Sequence, residues 1–135
     1  MQKNNITEDY LECILILNKT ESSVRSIDIA RRIGVTKPTV SSMIKKLLEN
    51  NYINIDDDKY ITLTDKGLEK AKKVYEKHLM LGGFLRKIGV SKEKALEEAG
   101  LIEHIIGEET YECLERLYES TLFNTYASKV INLKS

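Results

Sequence analysis

Apolar residues recur along this chain mostly at intervals of three and four, the spacing that lines one face of a helix. Near the start, Leu11, Ile14, Leu15 and Ile16 form such a face behind Thr7-Glu8-Asp9, which is suited to cap a helix ending near Asn18-Lys19. After the polar stretch Thr20 to Ser23, Ser26 opens a short helix over residues 27–33, stopped by Gly34 where a left-handed residue ends a helix. Val35 bridges a turn. Thr36 then caps a third helix with Pro38 in its first turn, where a missing N–H costs nothing. Its buried stripe is Val40, Met43, Ile44, Leu47 and Leu48, and it ends near Asn50-Asn51.

Tyr52-Ile53-Asn54-Ile55 and Tyr60-Ile61-Thr62-Leu63-Thr64 are β-branched and aromatic segments separated by Asp56-Asp57-Asp58-Lys59, a pattern that predicts a hairpin. Thr64-Asp65-Lys66-Gly67 resembles a cap region, after which Leu68, Ala71, Val74, Tyr75 and Leu79 return to helical spacing. A glycine in a helix costs about 1 kcal/mol against alanine, so Gly82-Gly83 predicts a bend or the close approach of another backbone. Gly89-Val90-Ser91 ends this helix. Another starts at Ser91 and runs through Ala95, Leu96, Ala99, Ile102 and Ile105 to Gly107. From Glu109 to about Val130 a last helix carries Tyr111, Leu114, Leu117, Tyr118, Leu122 and Tyr126.

Composition sharpens this mainly α picture. With 135 residues, 41% apolar and 31% charged, the chain has enough apolar content to fold as one domain or two small lobes. The longest apolar run, Cys13 to Leu17, is far short of the roughly 18 residues that span a bilayer, and no signal peptide precedes it. A cytoplasmic protein without a membrane partner is expected. The two cysteines, Cys13 and Cys113, have no CxxC partner, so both are read as reduced, buried thiols.

Helix, short helix, glycine turn, helix and hairpin is the order of a winged helix-turn-helix, whose third helix enters the DNA major groove. The 21 basic and 21 acidic side chains cancel, but their distribution is uneven. From Arg25 to Lys46 there are six basic residues (Arg25, Arg31, Arg32, Lys37, Lys45, Lys46) against Asp28 alone, a local excess that attracts phosphates. The other reading of such a cluster is a solvated helix face.

Four segments resemble the diphtheria toxin repressor family, in its manganese-transport-regulator branch. They are Thr7-Glu8-Asp9-Tyr10-Leu11-Glu12, Val35-Thr36-Lys37-Pro38-Thr39-Val40-Ser41, Phe84-Leu85-Arg86-Lys87-Ile88-Gly89-Val90 and Ile102-Glu103-His104. The resemblance implies a winged helix-turn-helix DNA-binding domain over residues 1–70 and an all-helical dimerisation and metal-binding domain over 71–135, without a third, SH3-like domain. It also implies a homodimeric repressor of metal-uptake genes that binds a palindromic operator in double-stranded DNA, with one or two Mn(II) or Fe(II) ions per subunit.

The implied metal residues are Asp9, Glu12, His78, Glu103 and His104. Asp9 and Glu12 are three apart and share a helix face. Glu103 and His104 are adjacent on a later helix, about 100° apart, and both can border a site at its end. Two imidazoles and three carboxylates suit Mn(II) and Fe(II) better than the thiolate sites of zinc or copper(I). Where the family has a ligating side chain three residues before the Glu-His pair, this chain has Gly100, which offers only a carbonyl oxygen. That leaves open one ion instead of two, weaker binding, Glu97 or water filling the gap, or a metal response altered or lost. Cys13 is read as core.

For DNA, the resemblance maps base-facing positions onto Thr36, Pro38, Thr39 and Ser42, with Lys37, Ser41, Lys45 and Lys46 toward phosphates. Small hydroxyls and a proline let the helix press against thymine methyls, so recognition leans on methyl contacts and DNA shape. Arg25 is a further contact. In the wing, Asp56-Asp57-Asp58 repel phosphate and leave Lys59 as its contact. Metal then ties the first helix to the dimerisation domain and holds two recognition helices about 34–36 Å apart. Two rivals remain: a winged-helix regulator that responds to an organic ligand or to nothing, and a metal-dependent hydrolase, which lacks any HExxH or phosphate loop.

Overall fold

The computed structural model describes residues 2–134, with side chains for 6–130. Its elements are α1 (Gln2–Thr20), α2 (Ser26–Ile33), α3 (Lys37–Glu49), β1 (Ile53–Ile55), β2 (Ile61–Leu63), α4 (Asp65–Lys87), α5 (Lys92–Ile102), α6 (Glu108–Glu119) and α7 (Thr121–Lys134). They form two compact units, Met1–Val74 and Tyr75–Ser135, and α4 carries the chain from the first into the second. The first is a winged helix-turn-helix and the second is all helical.

In the first unit α1 is the centre of the core. Leu11 and Ile14 are completely buried, and with Val24, Ile29, Val40, Leu47, Ile53 and Ile61 they form the largest buried side chains of the protein. This helix starts at Gln2, one and a half turns before the expected Thr7 cap, so Thr7-Glu8-Asp9 lie within it. The turn between α2 and α3 follows the local chemistry. Gly34 adopts φ 82°, in the left-handed region open to glycine, and its N–H bonds the carbonyl of Ala30 at 2.8 Å. The Thr36 hydroxyl accepts a bond from the Thr39 N–H, 3.3 Å away, and caps α3. Val40, Ile44 and Leu47 are buried, whereas Leu48, expected in the same stripe, stands exposed on the flank of the helix.

The wing is the antiparallel pair β1–β2, with Ile53 opposite Leu63 and Ile55 opposite Ile61. Its tip explains part of the triple aspartate. The Asp56 carboxylate accepts bonds from the Asp58 and Tyr60 N–H groups, both at 2.9 Å, and so holds a turn that places Lys59 at φ 70°. Thr64 accepts a bond from the Gly67 N–H and caps α4. Gly67 lies against the Tyr52 backbone so closely that a Cβ would overlap its carbonyl.

In the second unit Met80, Leu81 and Ala99 form a core packed by Phe84, Ile102, Ile106, Tyr111, Leu114 and Tyr118. Phe84 and Phe123 stack at 4.7 Å. Three expectations are corrected. The group that approaches the glycine pair is not a backbone: α4 runs unbroken through Gly82-Gly83, and Gly83 makes room for the Tyr118 hydroxyl. The helix begun at Ser91 stops at Ile102, so Ile105 does not extend its inward face and is exposed, and Leu96 stands exposed on the outer side of the helix itself. The expected last helix is two, α6 and α7, parted at Ser120. The Ser120 hydroxyl accepts from the Phe123 N–H at 3.2 Å and donates to the Leu117 carbonyl at 2.7 Å, which ends one helix and caps the next. No described helix is long and apolar enough to cross a membrane.

The Gly67 contact can be tested. Gly67→Ala forces the start of α4 away from Tyr52 and should destabilise the protein by about 1–3 kcal/mol in urea unfolding. An unchanged midpoint would show that the wing yields freely.

Candidate metal centre and nucleic-acid interface

In the second unit, α4 and the end of α5 bring three donor side chains together. The His78 Nδ1 lies 3.2 Å from Glu103 Oε2, and the His104 Nε2 lies 3.7 Å from Glu103 Oε1. Glu103 is the only buried charged residue among the described residues. It does not lie within α5, as expected, but caps its C-terminal end, with its N–H bonded to the Ala99 carbonyl at 3.1 Å. His104 follows in the turn, so the pair is displayed by a helix end and not by a helix face. That end is the negative pole of the helix, where a carboxylate is electrostatically unfavourable.

The donor set fits a cation. A carboxylate withdrawn from water requires compensation by a paired charge or a metal. Donor atoms on one ion with bonds of about 2.1 Å stand roughly 3.0–3.4 Å apart at octahedral or tetrahedral angles; His78 meets that spacing on one Glu103 oxygen at 3.2 Å, and His104 lies 3.7 Å from the other oxygen. Two imidazoles and a carboxylate are the borderline-hard N/O set that suits Mn(II) or Fe(II).

Gly100 lies on the His78 side of α5, where a Cβ would come within 3.8 Å of the His78 ring. A longer side chain at that position would therefore start beside the cluster. Glu97 does not substitute for it: it is exposed and pairs with Lys94 at 3.7 Å. In the first unit, Asp9 is exposed and Glu12 half-buried, one turn apart on α1.

Cys13 and Cys113 part ways. Cys13 is buried in the α1 core, but Cys113, expected to be buried, is exposed on α6 because the helix presents it away from the Met80–Ala99 core. Burial pushes the Cys13 thiol up to about 11, with Arg32 pulling the other way and Glu12 adding to the rise. Cys13 is thus a protonated core thiol and a poor metal ligand.

On α3, the side opposite Val40, Ile44 and Leu47 exposes Lys37, Pro38, Thr39, Ser41, Ser42, Lys45 and Lys46. The Thr36 and Thr39 hydroxyls are 2.9 Å apart, so the cap also fixes the orientation of Thr39. Arg25 and Lys59 are exposed too. Two features escaped the sequence reading. A cleft of about 430 Å³ runs beside α3, with Ile6 and Tyr10 of α1 facing Pro38, Thr39, Ser42, Met43 and Lys46. The Arg25 guanidinium lies over the Tyr60 ring, 4.6 Å from its centroid. The earlier start of α1 was the missing signal for the first. No local pattern signals the second.

A winged helix-turn-helix with a basic recognition face, followed by a helical unit holding a His–Glu–His cluster, defines the class of metal-dependent DNA-binding regulators. Comparison with known proteins agrees. Residues 4–61 match the iron dependent repressor N-terminal DNA binding domain, and residues 64–129 match its metal binding and dimerisation domain. The chain belongs to the iron-dependent repressor family. It is a transcriptional regulator, not an enzyme, so the hydrolase reading falls. It is 35% identical over 114 residues to a helix-turn-helix-type transcriptional regulator of Methanocaldococcus jannaschii, covering 83% of this chain and 91% of that protein. It is 34% identical over 108 residues to the transcriptional regulator MntR of Escherichia coli, covering 80% of this chain and 70% of that one. The solved structure of the manganese regulator SloR superposes with a TM-score of 0.71 at 32% identity; the match covers 82% of this chain and 52% of that one, so this chain spans about half its length.

Thiol labelling separates the two cysteines. At about pH 8 a disulfide reagent should titrate Cys113 and leave Cys13 untouched until the protein unfolds, and Cys113→Ser should abolish the native reaction. Rapid reaction of two thiols would contradict the placement of Cys13.

Proposed function

We propose that this protein is a Mn(II)- or Fe(II)-responsive repressor of metal-uptake genes that binds a palindromic operator as a homodimer in the cytoplasm. The observation that carries the reading is Glu103, a buried carboxylate flanked by two imidazoles at the end of a helix. His78, Glu103 and His104 would hold the ion, and by the sequence resemblance Asp9 and Glu12 complete its ligands from α1. A bound cation would place positive charge beside this buried carboxylate. Because the two imidazoles approach different oxygens of Glu103 while Gly100 contributes no side chain, we propose one or two ions per subunit.

The ligands on α1 and those of the helical unit then restrain the reading unit against the dimerisation unit. Thr36, Pro38, Thr39 and Ser42 face the bases. Arg25, Lys37, Ser41, Lys45, Lys46 and Lys59 face the phosphates, which position the protein without reading sequence. Exposed apolar side chains favour the dimer: Ile105 and Leu122 are 79% and 80% exposed, and Leu101, Leu117 and Tyr126 are exposed as well. A second copy related by two-fold symmetry is the simplest way to cover them.

The switch is tested by operator affinity in Mn(II), Fe(II) and chelator. Metal should tighten binding by roughly 5- to 150-fold, and by linkage DNA should tighten metal binding by the same factor. Calorimetry should find one or two Mn(II) per subunit, and none in Glu103→Ala. Equal DNA affinity under all three conditions, with no specific heat, would leave a winged-helix regulator indifferent to metal.

A further inference from the structure

The wing of this protein is acidic where phosphate approaches, yet it is tied firmly to the start of α2. The Ile61 N–H bonds the Val24 carbonyl at 2.7 Å, and Val24 is buried. On the preceding residue, the Tyr60 N–H is held by the Asp56 carboxylate at 2.9 Å, and the Tyr60 carbonyl accepts from the Asp56 N–H at 3.1 Å. At Arg25 the backbone N–H bonds the Asp28 carboxylate at 2.9 Å. Two anchored backbones thus face each other, and between them the Arg25 guanidinium rests 4.6 Å from the centre of the half-buried Tyr60 ring.

A guanidinium over a tyrosine face is attracted by the ring quadrupole, and the contact restricts a long side chain that would otherwise sample many rotamers. The guanidinium carries five N–H donors, more than a contact with one ring engages, so it can still donate to a phosphate oxygen. We infer that Tyr60 is a positioning residue for DNA binding, its ring holding the Arg25 guanidinium ready for a backbone phosphate. The acidic wing therefore serves the interface indirectly. Asp56 shapes the turn that presents Tyr60, and the ring presents the cation.

This inference rests on the proposed role of Arg25 as a phosphate contact, and the two fail differently. The probe is the duplex that wild-type protein selects from a random-sequence pool in excess Mn(II), with affinity measured across a salt series. Arg25→Ala should weaken binding about tenfold and lower the salt slope by about one. Tyr60→Leu should weaken it roughly threefold, with a lower salt slope, and Tyr60→Phe should restore wild-type values because the ring face is kept. In the Arg25→Ala background, Tyr60→Leu should have no further effect.

A Tyr60→Leu loss that persists undiminished without Arg25, or a Tyr60→Phe defect equal to that of Tyr60→Leu, overturns the positioning role. An unaltered Arg25→Ala overturns the phosphate contact itself, and a wild type that selects no duplex overturns the DNA reading as well. Arg25→Lys keeps the charge without the guanidinium that lies over the ring and leaves the wing untouched, so it tests the same point even where Tyr60→Leu unfolds. It should fall part of the way toward Arg25→Ala, and full wild-type affinity would count against the stack.

Discussion

A carboxylate held out of water is the constraint around which the helical unit is organised. Withdrawing one ion from solvent costs several kcal/mol even after relaxation. Glu103 lies buried at the negative end of α5, an end where the helix dipole disfavours a carboxylate. The compensation within the unit comes from His78 on α4 and from His104 in the next turn. Such a cluster responds to positive charge, which suits a sensor whose ligand is a cation. Ala99 lies on the same helix and is fully buried beside Met80 and Leu81, so the carboxylate is displayed from the edge of a packed core and not from a loose loop.

The reading unit has a different logic. Its core is continuous from α1 through the wing, because Leu11 and Ile14 are buried together with Ile53 and Ile61. The recognition helix packs on α2, and α2 packs on α1, which carries Asp9 and Glu12. Polar contacts then set the fine geometry of the exposed face. The Thr36 cap orders Thr39, and Asp56 orders the wing tip. Tyr60 lies under Arg25. Net charge is zero, yet the basic residues from Arg25 to Lys46 give this unit a face suited to phosphate.

Much of the site chemistry was legible in residue types and order. Both histidines of the chain are in the helical unit, and both lie against Glu103. The display of that pair was not legible, because the helical periodicity through Ile102 and Ile105 continues past the point where α5 stops. Periodicity likewise merged α6 with α7. The serine at the break was visible in the sequence, but a serine bonds equally well within a helix or at its cap, and only the packing of Phe123 on Phe84 favours the cap. The exposure of Cys113 had no sequence signal, since cysteine is an ordinary core residue.

What the sequence determined by itself is the local grammar: the helices, the Gly34 turn, the Thr36 and Ser91 caps and the hairpin. These depend on hydrogen bonds and side-chain spacings that close within about four residues, so the neighbours of each position carry the information. Tertiary structure alone decided that Gly83 makes room for Tyr118, that Tyr60 meets Arg25, and that one carboxylate is enclosed by two imidazoles. Each joins residues that the chain holds far apart, or buries a group that could equally have faced water. Their outcome depends on how whole helices pack, a sum over many contacts that no short stretch of sequence contains.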